Sequence, residues 1–98
     1  MKAICHIAAL LVVAHASAPA LAADGKAVYT KACAVCHMTM PPRTGDKAAW
    51  ETRSRQGLDA LVASVMKGKG AMPPKAGNAS LTEEEVRAAT EYILSQSK

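Results

Sequence analysis

Cys33-Ala34-Val35-Cys36-His37 is the stretch that decides how this chain is read. Residues i and i+3 of a helix share a face, so both sulfurs point the same way over one turn, with the imidazole one position further round. Thiols at that spacing can close thioether bonds to the two vinyl groups on one edge of a porphyrin. His37 is then placed to reach the iron axially, and Cys-x-x-Cys-His is the attachment signature of a c-type haem. Two other readings use the same side chains. A Cys33–Cys36 disulfide of the thioredoxin type needs alternating strands and a βαβ unit, and no Val/Ile-rich run of period two is present. A structural zinc ion needs more ligands than two thiols and one imidazole supply, and no acidic or imidazole partner stands at fitting spacing.

Upstream, Lys2 gives a short basic start, Ala3 to Val13 is an apolar run broken only by His6, and Ala20-Leu21-Ala22 ends it in a small-x-small pattern. This is the layout of a secretory signal peptide over 1–22, cleaved after Ala22, and it predicts a periplasmic location. The run is shorter than the roughly 20 residues that span a bilayer, so no stable membrane insertion is expected after cleavage. Cleavage removes Cys5, His6 and His15. Cys33 and Cys36 then remain as the only thiols and His37 as the only histidine.

The expected mature chain, 23–98, has 76 residues and makes one domain near the lower end of what folds unaided. Its aromatic residues are Tyr29, Trp50 and Tyr92, with no Phe. A core this poor in large rings calls for an internal scaffold, which a covalent haem supplies. Asp24 caps a first helix with Val28, Tyr29 and Ala32 at helical spacing. Met38 to Gly45 reads as a loop, and Asp46 caps a short segment through Trp50. Leu58, Leu61, Val62, Val65 and Met66 form the stripe of an amphipathic helix that stops at Gly68. Thr82 with the glutamates after it forms a capping box, stapled by Leu81 and Val86, for a final helix from about Glu83 to Ser95. Those glutamates complement the helix dipole and need no chemical role.

Between the last two helices, Lys67 to Pro74 holds glycines and prolines that exclude helix and strand, and Met72 sits at the tip. A flexible thioether there suits the second axial position of a haem iron. Met38 and Met40 follow His37 too closely to reach the opposite haem face, and Met66 belongs to the apolar stripe.

The haem pentapeptide, Gly45-Asp46-Lys47-Ala48-Ala49-Trp50, Gly68-Lys69-Gly70-Ala71-Met72-Pro73-Pro74 and the Leu81-Thr82-x-Glu84-Glu85-Val86 helix start keep a common order and spacing. Across nearly all of 23–98 the chain resembles a small class I cytochrome c of the cytochrome c5 type. The resemblance implies an all-α fold with the first and last helices crossing near a right angle, Gly25 and Tyr29 facing Ala89 and Tyr92. It implies that the Pro42 carbonyl accepts the outer N–H of His37, and that Trp50, with Arg53 as a second donor, bonds a haem propionate. The activity it implies is electron transfer by one haem c whose iron, expected between His37 and Met72, shuttles single electrons, with no substrate transformed. The alternative function is a haem-based ligand-binding or peroxidase-like protein with an open sixth position, which ready carbon monoxide binding would favour. A third reading is a fixed subunit of a respiratory complex.

The mature chain carries 11 Lys and Arg against 8 Asp and Glu, a net of +3, and 26–75 holds nine bases against three acids. Lys67, Lys69 and Lys75 flank Met72, an arrangement that steers toward an acidic redox partner in brief, salt-sensitive encounters. No aromatic residues alternate with the basic ones and no nucleic-acid motif is present, which argues against DNA or RNA partners.

Overall fold

Asp24 opens the folded chain by accepting a hydrogen bond from the Ala27 N–H at 3.2 Å, which caps helix α1 (Gly25–Val28). The computed structural model describes residues 9–12 and 22–98, so most of the 1–22 leader lies outside the described residues. From α1 the backbone runs on as a π-helical turn over Tyr29–Cys33 and then as α2 (Ala34–His37). The sequence predicts a helix here, and the widening of one turn is a difference from that expectation. There the Ala34 N–H bonds the Tyr29 carbonyl, one residue further back than an α-helix would place it, which is the hydrogen bond of a π turn.

After the irregular segment 38–46, Asp46 accepts from the Ala49 N–H at 3.2 Å and starts α3 (Lys47–Ser54), four residues longer than expected. Helix α4 (Leu58–Lys67) carries the predicted stripe and ends at Gly68, whose φ of +83° suits a residue without a side chain. Helix α5 (Glu83–Gln96) starts with the full capping box: Thr82 Oγ1 accepts from the Glu85 N–H, and Glu85 Oε1 accepts from the Thr82 N–H, both at 3.1 Å. The two hydrogen bonds between Lys69 and Met72 make an isolated bridge and no named strand, so the described residues form the all-α domain expected. No helix among them is long and apolar enough to cross a membrane.

Helices α1 and α5 touch at backbone distance. A Cβ on Gly25 would press on the Ala88 carbonyl, 2.9 Å from its carbon, and beside this contact the Tyr29 and Tyr92 rings lie 5.1 Å apart at 49°. Ala88, not Ala89, is therefore the residue that glycine accommodates; Ala89 is 2% exposed and turned to the core. Val62 from α4 meets Val86 and Ile93 from α5 in that core. Full burial of such side chains contributes about 1.5–3 kcal/mol each. The Arg87–Asp59 pair joins α4 and α5 at 2.8 Å, but Asp59 is so exposed that apolar packing outweighs it.

Candidate functional site

Cys33, Cys36 and His37 share one cavity of about 450 Å³ with Pro42, Met72 and Arg53. The π turn and α2 carry the thiols and the imidazole, the 38–46 segment brings Pro42, and the turn after α4 brings Met72. Leu61 and Val65 of α4 and Val86 and Ile93 of α5 make the lining largely apolar. The volume lies within the range of cavities that enclose a small molecule or cofactor.

His37 Nδ1 lies 2.7 Å from the Pro42 carbonyl oxygen. A carbonyl can only accept, so Nδ1 carries the proton, and the neutral ring keeps its lone pair on Nε2, the atom that can bind a metal. The imidazole also rests against Trp50, with ring centroids 5.5 Å apart. Cys33 is half-buried and Cys36 exposed, and both are free thiols. Burial, with a smaller contribution from Cys36, pushes the Cys33 thiol up, so it is protonated at neutral pH.

The Met72 turn is closed on both sides. The Lys69 N–H donates to the Met72 carbonyl at 2.9 Å and the Met72 N–H to the Lys69 carbonyl at 3.0 Å. Gly70 takes φ +58° inside it, and beyond the two prolines Lys75 and Ala76 hold left-handed φ values of 53° and 55°. Met72 is half-buried among the cavity residues. Met38 is 62% exposed, and Met66 packs against the core as its stripe position predicts.

Trp50 requires a correction. Its indole has a single donor, and that N–H bonds the Arg43 carbonyl at 2.8 Å, so it is not free for a propionate. The ring serves as a wall beside His37 and as a tie for the 38–46 segment. Arg53 donates Nη1 to the Ala49 carbonyl at 2.9 Å and places its guanidinium 6.0 Å from the Trp50 centroid. Its other N–H groups remain available, and it lines the cavity.

Sequence reasoning missed Met40, which lines the cavity although it stands only three residues after His37. It also missed the buried hydroxyls of Thr90, which lines the cavity, and Ser97, which bonds the Gly45 N–H at 2.8 Å. Sequence spacing argued only against Met40 reaching the opposite haem face, which a place in the lining does not contradict, and no periodic signal marks Ser97.

Two thiols, an imidazole with a free lone pair, a thioether and an apolar cavity are a donor set that fits a covalently held haem. Comparison with known proteins agrees. The family model for cytochrome c oxidase, cbb3-type, subunit III matches residues 20–93. Cytochrome c-555 of Chlorobaculum tepidum is 49% identical, over 93% of this chain and 90% of its own length. Cytochrome c5 of Azotobacter vinelandii is 42% identical over 69% of this chain and 88% of its own. A cytochrome c crystallised in an electron-transfer complex with nitrite reductase superposes with a TM-score of 0.73 at 45% identity, covering 76% of this chain and 95% of that one. The chain therefore belongs to the cytochrome c family, as a small class I member that carries covalently attached haem c and its iron and acts as an electron carrier rather than an enzyme.

Proposed function

We propose that residues 1–22 are a cleaved signal peptide and that 23–98 work in the periplasm as a monohaem carrier shuttling single electrons between redox partners. Cys33 and Cys36 would hold the haem by thioether bonds, and His37 and Met72 would be the side chains that coordinate its iron. Bound haem c supplies an iron that alternates between ferrous and ferric. The protein fixes what surrounds it. The Pro42 carbonyl orients His37 and raises the basicity of its ring, and Arg53 offers N–H donors to a propionate. Met72 would offer the iron a soft thioether, a ligand type that favours the reduced state.

The observation that carries this reading is the single cavity shared by the two thiols, the imidazole with its Nδ1 held at 2.7 Å from Pro42, and Met72. For partners, the nitrite reductase complex of the related cytochrome c supports docking to a redox enzyme. The basic excess of 26–75 supports an acidic docking face on that enzyme.

The test is the intact mass of protein exported from a host that matures c-type haem. The expected value is the 23–98 chain plus one haem, with a reduced spectrum that carbon monoxide leaves unchanged. Colourless material with the mass of its amino acids alone refutes the reading. Ready carbon monoxide binding refutes the methionine ligand and favours an open sixth position.

A further inference from the structure

The segment 42–45, which follows the haem motif, is fastened at every residue by a different part of the chain. The Pro42 carbonyl accepts from His37 Nδ1 at 2.7 Å, and the Arg43 carbonyl accepts from Trp50 of α3 at 2.8 Å. Thr44 donates its N–H to the His37 carbonyl and accepts from the Tyr29 hydroxyl, both at 2.8 Å. The Gly45 N–H donates to Ser97 Oγ at 2.8 Å, across 52 residues of sequence. Ser97, at the C-terminal end of α5, is only 4% exposed. Its hydroxyl proton is committed as well, donated to the Ile93 carbonyl of α5 at 2.8 Å.

One buried hydroxyl thus ties the end of α5 to the strap that carries the Pro42 carbonyl. The last turn of a helix frays unless something fastens it, and a buried hydroxyl engaged as both donor and acceptor is such a fastening. We propose that Ser97 is a positioning residue for the haem histidine: by holding Gly45 it keeps the Pro42 carbonyl against His37 Nδ1. This rests on the assignment of His37 as an axial ligand. A carbonyl held close to Nδ1–H makes the ring a stronger electron donor, which stabilises the ferric state. When the strap slackens, the carbonyl draws back, ring basicity falls and the potential rises.

Ser95 supplies the control. Its hydroxyl donates to the Tyr92 carbonyl at 2.7 Å in the same last turn of α5, but it is exposed and its bonds do not reach the strap. The experiment compares holoprotein carrying Ser97→Ala, Ser97→Thr or Ser95→Ala with the parent. It measures the reduction potential and, by NMR of the ferrous state, solvent exchange of the His37 Nδ1 proton. Ser97→Ala is expected to speed exchange by about three- to tenfold, the factor corresponding to one ordinary hydrogen bond, and to move the potential upward. Ser97→Thr is expected to restore both, and Ser95→Ala to leave both at the parent values.

Unchanged exchange and potential in folded Ser97→Ala overturn the proposal, as do equal changes in Ser95→Ala. Should Ser97→Ala fail to fold, Ser97→Cys, of similar size but a poor acceptor, makes the same comparison. A parent protein that carries no haem overturns the ligand assignment too, and its mass shows this before any variant is made.

Discussion

Gly68→Ala tests whether backbone contact delivers the Met72 sulfur. Gly68 sits at φ +83°, ψ 156°, a region nearly closed to residues with a Cβ, and forcing alanine into it costs about 1–3 kcal/mol. The added Cβ would also stand 2.9 Å from the Met72 carbonyl oxygen and 2.9 Å from the Pro74 nitrogen. Both are backbone atoms that cannot swing aside as a side-chain end can, so overpacking adds about 1–3 kcal/mol. The combined strain of roughly 2–6 kcal/mol has an inexpensive outlet, because moving 69–74 away from α4 relieves both terms while Leu61 and Val62 stay buried. At about 1.4 kcal/mol per factor of ten, even the lower figure shifts the balance of seated and displaced loop roughly thirtyfold. The expected variant keeps covalent haem and parental far-ultraviolet circular dichroism. Its ferric form loses the weak methionine-to-iron charge-transfer band, and its ferrous form binds carbon monoxide. A variant that keeps the band and still excludes carbon monoxide refutes the reasoning.

Four further outcomes are expected. Met72→Ala opens the iron to carbon monoxide and lowers the potential, and an unchanged spectrum counts against methionine ligation. Gly25→Ala drives a Cβ onto the Ala88 carbonyl group, and overpacking of about 1–3 kcal/mol exceeds the helix preference of alanine, about 1 kcal/mol at most. Its thermal midpoint falls by several degrees, and a midpoint at or above the parent's counts against the close α1–α5 contact. The Thr82 backbone N–H, and then its hydroxyl, hold the Glu85 carboxyl below its usual range, so the stability this contributes is complete above about pH 4.5 and is lost as pH falls through the folded value. Glu85→Gln keeps the capping box without titrating, so its thermal midpoint declines less steeply in acid; parallel curves contradict the assignment. Finally, Cys33→Ser/Cys36→Ser cannot hold haem covalently, and an apolar-lined cavity of about 450 Å³ then loses the group that would fill it, in a domain whose core is too small and too poor in large rings to make up the loss. Calorimetry should find no sharp unfolding transition, and a cooperative one argues against haem as the scaffold of the core.

Helix positions were legible because caps and stripes are local signals. Asp24, Asp46 and Thr82 start helices where the sequence places them, and Gly68 ends one. The π turn was not legible, since a one-residue slip of the backbone bond from Ala34 to Tyr29 leaves no mark on the periodicity of so short a helix. The site divides the same way. The thiols and His37 announce themselves by spacing within one turn, and Met72 by its place between glycines and prolines. The role of Trp50 was misread because one indole suits either a propionate or a carbonyl, and only the folded path of Arg43 decides which acceptor it meets. Ser97 lies 52 residues from its partner, and no local pattern encodes a contact that α5 creates by docking.

The two candidate ligands are fastened by contacts that do not involve the iron. His37 is held through Pro42 and the strap behind it, and Met72 through two backbone bonds to Lys69 and the close approach of Gly68. Such preorganisation suits electron transfer, because a carrier whose ligands keep their places when the iron changes charge spends little free energy on rearrangement. The turn that seats Met72 also bears Lys69, which is exposed and lines the cavity mouth, with exposed Lys67 just before it. Positive charge is thus concentrated beside that turn, and if the proposed acidic partner docks there, a salt-dependent association rate is the expected signature. Rigidity within and charge without have a common origin in one short sequence, since Gly68, Gly70, Pro73 and Pro74 give the turn its shape while the lysines between and before them give it its field.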